Sequence, residues 1–495
     1  MSVTAVPPAR VYEHGTALTP TRSIPLSRIL YLPMEIASRE LDSRLLIAAF
    51  ALERGYEVVL GQKWLIERNV KSMPAGIYLS KTLTQRDART MARVRARGFI
   101  VAAIDEEVPG LVAKPNELRW VSDEAIGEAD FIFVGGDNNV GAYRQRFAAA
   151  ADRIVPCLNP RWDLLKAGAR GIYQKEAARI RERFGRFVLI NTNLGFTNSE
   201  KGSAKVMVED QARSGKLDLS DPAVRHFVDE FLRMERDNFG AIKQVVQSIL
   251  DEMPEVSVVL RPHPSERIDT WVAAFNAHPR LAVVREGAPI PWILASEALV
   301  HTNCTTGIEA IALDHPAICV VATDSFVTDR YLANRVNPLA HGAREAVEIL
   351  KRHVAGTAPI TYTREMRELF ERSMSFDSGQ YGAAKIIDAL IAERDRRASG
   401  VAAISQSTDN LSLSRSRWMP SWNYKWTMRD KNVRGSLFPN FDHHAVSARL
   451  CEIAEQIGLS IAPRIYFGGS KVALITERHV PLSVRMRQFI MKNVA

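Results

Sequence analysis

Short apolar runs alternate with helical patterns along most of the chain, and this alternation restricts the possible folds more than any other feature. Strand-like runs at 76–79 and 99–104 flank a helical stretch at 84–97, and a further strand-like run at 131–135 is followed by a helical stretch at 139–150. A second series begins at 187–190 and continues through 256–260. Repeated strand–helix units indicate parallel sheets covered by helices on both faces. We therefore predict an α/β fold with two Rossmann-like domains that face each other across a cleft.

The chain has 495 residues, which is too long for one ordinary core and indicates two or three domains. We place a flexible lead-in at 1–25, an N-terminal domain at 26–185 and a C-terminal domain at 186–395. Residues 396–495 are predicted to form a linker and an aromatic and basic C-terminal extension of unknown role.

Charge and cysteine usage exclude several classes of protein. The net charge is +9, which favours acidic ligands, but the basic residues are scattered and not clustered, so we expect no nucleic-acid partner. The four cysteines include no Cys-x-x-Cys pair and fit neither a zinc site nor a disulfide framework. No leader-like segment and no apolar run of about 18 residues stands out, and we expect a cytoplasmic protein.

The first motif that carries chemistry is Arg261-Pro262-His263-Pro264, directly after an apolar strand. The two prolines stiffen the turn, and Arg and His are suited to a phosphate or a carboxylate. In open α/β sheets, ligands bind outside the carboxyl ends of strands. The motif alone is equally compatible with a strand-ending turn that exposes a histidine.

The second motif runs from His301 to Glu309 through Thr305, Thr306 and Gly307. A strand ends there, a polar turn follows and a helix begins, an arrangement that often binds anions. Glu309, in the first turn of the helix, could accept hydrogen bonds from ribose hydroxyls or could simply complement the helix dipole.

The His-Pro turn followed by the Thr-rich helix start resembles the nucleotide site of CMP-sugar transferases. Segments 32–44, 104–107 and 159–165 look like the surface carbohydrate biosynthesis family, which is related to the retaining β-Kdo transferases of capsule and O-antigen assembly (Kdo is 3-deoxy-D-manno-octulosonic acid). The resemblance covers roughly residues 28–390. It implies a GT-B-type glycosyltransferase fold, a CMP-linked acidic sugar as donor and a glycan or lipid-linked acceptor. A CMP donor carries one phosphate, and no Asp-x-Asp motif is present, so we expect no metal ion and no cofactor.

The resemblance also implies roles for individual residues. Asp163 is the expected nucleophile, although an aspartate capping the following helix is a common alternative. Glu107, then Glu106, is the expected acid/base, although the acidic loop could simply be solvated. The remaining expected contacts are donor-binding for Arg261, His263, Pro264, His301, Asn303, Thr305, Thr306, Gly307, Glu309, Asn191, Asn193 and Lys81, and acceptor-binding for Glu35, Arg39 and Arg161.

Two questions stay open at this stage. The aromatic residues Trp418, Trp422, Tyr424 and Trp426 could seat the protein at a membrane surface or pack on the other domains. The transferred sugar could be Kdo or another CMP-linked nonulosonic acid of the sialic or legionaminic type. A third reading is a non-catalytic scaffold in a surface-polysaccharide assembly complex.

Overall fold

The computed structural model describes residues 26–70, 73–106, 118, 120–213, 217–275, 277–377, 379–399, 442–467 and 471–477. The predicted fold class is confirmed: the chain is a mixed α/β protein with two domains, each built on a parallel sheet. Glu107 and the aromatic residues of 418–426 lie outside the described residues, so the predictions made for them stay predictions.

The N-terminal sheet is built from six parallel strands in the order β2-β1-β3-β4-β5-β6. These strands are β1 (Ile29–Met34), β2 (Glu57–Gln62), β3 (Ile77–Ser80), β4 (Ile100–Ile104), β5 (Phe131–Val134) and β6 (Ile154–Pro156). Their side chains are almost continuously buried, as expected for strands covered on both faces.

The helices of this domain are α1 (Ala37–Glu53), α2 (Lys63–Asn69), α3 (Gln85–Arg95), α4 (Asp123–Glu128), α5 (Asp137–Arg146), the short α6 (Pro160–Asp163) and α7 (Gln174–Phe184). Local sequence sets several of their ends. Thr84 and Asp87 form a capping box at the start of α3, and Gly185 ends α7 with a φ of +66°.

Part of the predicted C-terminal extension completes the N-terminal sheet. Helix α17 (His443–Gln456) packs on α1, and β13 (Arg464–Phe467) and β14 (Val472–Thr476) form an antiparallel hairpin. Strand β14 pairs antiparallel with β2. This pairing covers the edge of β2, which would otherwise present unpaired backbone groups to solvent.

The C-terminal sheet has the strand order β12-β11-β10-β7-β8-β9, and its neighbouring strands pair in parallel. Its strands are β7 (Phe187–Asn191), β8 (Ser257–Arg261), β9 (Leu281–Val283), β10 (Ala298–His301), β11 (Ala317–Val320) and β12 (Leu339–Ala340). The chain therefore passes from one sheet to the other between β6 and β7.

The helices after β7 are α8 (Ala204–Arg213), α9 (Pro222–Glu252), α10 (Ile268–Ala274), α11 (Pro289–Ala295), α12 (Thr306–Ala312), α13 (Leu332–Arg335), α14 (Ala343–Val354), α15 (Arg364–Met374) and α16 (Gly382–Ser399). The last two return to the N-terminal half, where α15 packs on α5 and α16 packs on α1. Among the helices of the described residues, none is long and apolar enough to cross a membrane.

Candidate active site

Polar side chains follow the strands at the carboxyl edges of both sheets. In the N-terminal domain, β1 leads into Glu35, β3 into Lys81 and β4 into Glu106. In the C-terminal domain, β8 ends at Arg261 and β10 ends at His301. The topology therefore brings together residues that are far apart in sequence, at the position where open α/β sheets bind ligands.

A cavity of about 10 Å³ lies at the carboxyl edge of the N-terminal sheet. Its lining is mostly polar and comes from α1, the end of β4 and the start of α6: Arg39, Glu40, Ser43, Glu106, Asn159, Arg161 and Trp162. This volume is about that needed to hold one water molecule.

The two domains meet in an ion pair between Arg161 and Glu309. A guanidinium nitrogen of Arg161 donates to the Glu309 carboxylate over 2.6 Å, and Asn159 fixes the start of α6 by accepting from the Arg161 backbone N–H. Glu309 is 1% exposed, and its Oε2 has no hydrogen-bond partner in the described part of the chain. Burial raises the pKa of Glu309, and Arg161 opposes this shift. The second oxygen of this buried carboxylate therefore leaves its hydrogen-bonding capacity unused among the described residues.

Glu106 lies at the opposite side of the cavity and pairs with the fully buried Arg44 over 2.7 Å. Burial raises the pKa of Glu106, and the nearby Arg44 opposes this increase. A carboxyl with a raised pKa holds its proton to higher pH than an ordinary glutamate, which is a property suited to acid/base chemistry. Of the two glutamates predicted as acid/base, Glu106 is therefore placed at the cavity, and Glu107 is outside the described residues.

Lys81 joins the residues at the edge of this site. Its Nζ lies 2.9 Å from Glu40 and 3.0 Å from Glu35. Burial alone would lower the pKa of Lys81, but Glu40 and the other carboxylates outweigh burial and raise it. Lys81 thus forms ion pairs with acidic residues of its own domain, whereas the sequence predicted that it contacts the sugar donor.

Asp163 is completely buried and does not line the cavity. Its Oδ2 accepts from the backbone N–H of Ala383 over 2.8 Å, at the start of α16, and Lys166 lies 3.4 Å from Oδ1. Burial raises the pKa of Asp163 to about 6, although the backbone of Ala383 opposes this shift. In this conformation the predicted nucleophile caps a helix that lies 220 residues further along the chain.

The Arg-Pro-His-Pro turn places its two functional side chains differently. Arg261 donates to the carbonyls of Glu286 and Gly287 and lies over the ring of Trp292, which holds the loop after β9. His263 is exposed, and burial of its surroundings lowers the pKa of the ring. Pro264 is also exposed. His263 is therefore accessible, whereas Arg261 also has a structural role.

The helix start at α12 is mostly buried. His301 has no exposed surface, and burial lowers its pKa to about 3, so it is neutral at physiological pH. Thr306 and Gly307 are also buried, whereas Thr305 is exposed. A Cβ added at Gly307 would lie 2.4 Å from His301 Nε2. In the structure, Gly307 thus permits close packing against His301. The sequence predicted a different role, namely that the missing side chain lets a ligand approach closely.

Asn193, Asn303 and Asn334 hold the loops around this helix start. Asn193 donates to the carbonyl of Asn303 over 3.0 Å, and Asn303 adopts a left-handed φ of +50°. The side-chain oxygen of Asn303 accepts from Asn334 over 2.5 Å. Asn191 is buried at the end of β7, and its side-chain oxygen has no partner among the described residues. Asn193 and Asn303 therefore fix loop positions.

Sequence reasoning missed Glu266, which has no exposed surface. Its carboxylate accepts from Thr192 Oγ1 (2.7 Å), the Leu194 N–H (3.0 Å), the His263 N–H (3.1 Å) and Trp271 Nε1 (3.0 Å). These donors come from the loop after β7, the turn after β8 and α10. A glutamate two residues after the His-Pro dipeptide was the only sequence signal, and the donors become visible only in the fold.

Comparisons with known proteins find similar chains among solved structures. No protein-family model matches the chain, and no curated protein matches it. Among solved structures, the fold is similar to the Wall Teichoic Acid Polymerase TagF, with 11% identity, 75% of this chain and 90% of that chain covered, and a TM-score of 0.41. It is also similar to a putative UDP-N-acetylglucosamine 2-epimerase from Listeria monocytogenes, with 12% identity, coverages of 74% and 96%, and a TM-score of 0.47. For S. aureus MnaA with UDP, the identity is 13%, the coverages are 76% and 98%, and the TM-score is 0.42.

Proposed function

We propose that this protein is a glycosyltransferase that moves an acidic sugar, most simply Kdo, from a CMP donor to a bacterial surface polysaccharide or glycolipid. The observation that carries the proposal is a cavity at the carboxyl edge of the N-terminal sheet, lined by ionisable groups, from which Arg161 reaches across to Glu309 of the C-terminal domain. These groups include members of the segments that resemble CMP-sugar transferases of surface carbohydrate assembly.

On the donor side, we assign the exposed His263 and Thr305 to contacts with the single phosphate of CMP. The unpartnered Oε2 of Glu309 is suited to accept from a ribose hydroxyl. The Arg161–Glu309 pair joins the two domains beside this site, and its opening is proposed to admit the nucleotide sugar. Donor binding is therefore proposed to accompany a hinge motion between the sheets.

On the acceptor side, we assign Glu106 as the general base. In the transfer step the acceptor hydroxyl forms the new C–O bond to the anomeric carbon and gives its proton to Glu106. In a direct displacement the bond between the anomeric carbon and the phosphate oxygen breaks in the same step, and CMP leaves with that electron pair. In a double displacement, CMP has already left, and the bond that breaks is the one to the Asp163 carboxylate, which leaves with its electron pair. The ionised form needed for this role is favoured by Arg44, which pairs with Glu106.

Retention of configuration would require two displacements, and Asp163 is the carboxylate that the family resemblance assigns to the first. In that step, CMP would leave as the Asp163 oxygen bonds to the anomeric carbon, and the acceptor would later displace the carboxylate. Since Asp163 is buried at the start of α16, this route requires that the carboxylate become uncovered when the domains open.

The proposal is tested by incubating the full chain with CMP-Kdo and with CMP-N-acetylneuraminic acid while CMP release is followed. We expect release from one of these donors, and we expect Glu106→Gln to slow it by about 10²- to 10⁴-fold, the usual contribution of a general acid or base. Glu128→Gln, a charge-matched change at the end of α4, should have little effect. No binding and no release with either donor would refute the proposed function.

A further inference from the structure

The cations around the cavity are unequally matched with acids. Glu40 pairs with Lys81, Glu106 with Arg44, and, at the neighbouring contact between the domains, Glu309 pairs with Arg161. Each of these buried carboxylates therefore already has a basic partner. Arg39 also lines the cavity and is exposed, and its side chain makes no hydrogen bond or ion pair with any part of the chain that the structure describes.

The position of Arg39 relates it to both domains. It lies in the first turn of α1, beside the Glu40 and Ser43 surface of the cavity. Burial sets the direction in which the pKa of Glu106, of Glu309 and of His263 changes. Arg39 is among the charged groups that also act on these three pKa values. Arg39 thus lies within electrostatic range of the proposed base and of the proposed nucleotide contacts.

We propose that Arg39 binds an oxyanion of the transferred sugar, namely its carboxylate, and thereby selects an acidic sugar over a neutral one. An arginine presents a planar fork of donors that matches a carboxylate with two parallel hydrogen bonds. Arg39 has no acidic partner among the described residues and lies within electrostatic range of the proposed base and of the proposed nucleotide contacts. It is therefore suited to bind the carboxylate that is attached to the reacting carbon of the sugar. This inference rests on the proposed function and differs from the acceptor contact that the sequence predicted.

The test compares binding of three ligands to the full chain by calorimetry: CMP, CMP-Kdo and CMP-N-acetylneuraminic acid. For the donor that the wild type prefers over CMP, Arg39→Gln should weaken binding about ten- to hundredfold, the loss of a charge-assisted hydrogen-bond pair. Binding of CMP alone should change by less than about twofold, because the nucleotide lacks the carboxylate. Arg39→Lys keeps the charge without the fork and should fall between wild type and Arg39→Gln.

Arg89→Gln is the matched control. Arg89 is exposed on α3 of the same domain and does not line the cavity, so this variant should bind all three ligands as the wild type does. Because the Arg39 side chain is exposed and makes no hydrogen bond or ion pair with a described residue, Arg39→Gln should unfold at the wild-type temperature. Thermal unfolding of each variant therefore separates a lost contact from a lost fold.

Three results would overturn the inference while leaving the proposed function intact. In the first, Arg39→Gln keeps the wild-type preference for the acidic donor over CMP. In the second, it weakens CMP and the donor equally, which would place Arg39 on the phosphate. In the third, it raises only the KM for the acceptor. Failure of the wild type to bind any of the three ligands would refute both proposals.

Discussion

Replacing Asp163 tests whether the predicted nucleophile is also a buried helix cap with an unfavourable charge. Burial raises its pKa from the ordinary 3.8 to about 6. Between these two pH values the folded protein keeps a proton that the unfolded chain has lost. The stability that this group contributes below about pH 4 is therefore lost as the pH rises through 6. A difference of one in pKa corresponds to about 1.4 kcal/mol of unfolding free energy, so the loss of stability amounts to roughly 3 kcal/mol.

Asp163→Asn removes the charge and keeps an oxygen that can accept from the Ala383 N–H. We expect its unfolding free energy at pH 7 to equal or exceed that of the wild type. The difference between variant and wild type should change by roughly 3 kcal/mol between pH 4 and pH 7. Asp163→Ala removes the acceptor and should cost about 1–3 kcal/mol at pH 7.

The assay is urea denaturation at a series of pH values, followed by tryptophan fluorescence, since Trp162 is buried beside this carboxylate. Parallel pH profiles for wild type and Asp163→Asn would refute the electrostatic reasoning. The same variants decide the chemical role by intact-protein mass spectrometry after incubation with the donor. A sugar adduct on the wild type that is absent from folded Asp163→Asn supports the nucleophile, whereas full transferase activity in Asp163→Asn rules it out.

Three further substitutions probe the packing of the site. Gly307→Ala places a methyl group 2.4 Å from His301 Nε2 and should lower the unfolding free energy by about 1–3 kcal/mol in urea denaturation. Arg161→Gln leaves Glu309 buried without its cation and should lower the unfolding free energy by about 1–3 kcal/mol. This loss is smaller than the roughly 3–5 kcal/mol expected when a fully buried ion pair is broken, because Arg161 is partly exposed. Glu266→Gln replaces one carboxylate oxygen by an NH₂ group that faces buried N–H donors. It should lower the unfolding free energy in urea denaturation by about 1–3 kcal/mol.

Each of these changes has a control. Gly240→Ala lies in α9 with no atom near the added methyl group and should not destabilise the protein. The double variant Arg161→Gln/Glu309→Gln should recover part of the loss, because the orphaned charge is gone. Glu266 also raises the pKa of His263, against the burial that lowers it, so Glu266→Gln should lower that pKa further in an NMR titration. Wild-type stability of Gly307→Ala, or an unchanged His263 titration, would contradict the corresponding argument.

The sequence was most informative where its signals are local. Apolar runs of four to six residues, separated by amphipathic stretches, predicted the strands and the division into two sheets because period and turn chemistry are short-range properties. The same reasoning placed the Arg-Pro-His-Pro turn and the Thr-Thr-Gly-x-Glu helix start at strand ends, where the structure has them. It could not distinguish the exposed His263 from the buried His301, since burial depends on what packs above each turn.

The partners of the site residues came only from the tertiary structure. Asp163 meets Ala383 across 220 residues, Arg161 meets Glu309 across 148, and Arg449 of α17 meets Asp42 of α1 across 407. Composition and motif spacing do not predict such pairs, because the pairs form only when the hydrophobic faces of separate elements are buried against each other. By itself the sequence determined two α/β units with anion-suited turns at their strand ends. The packing of those units decided which carboxylates are neutralised, which are buried and which arginine is left without a partner.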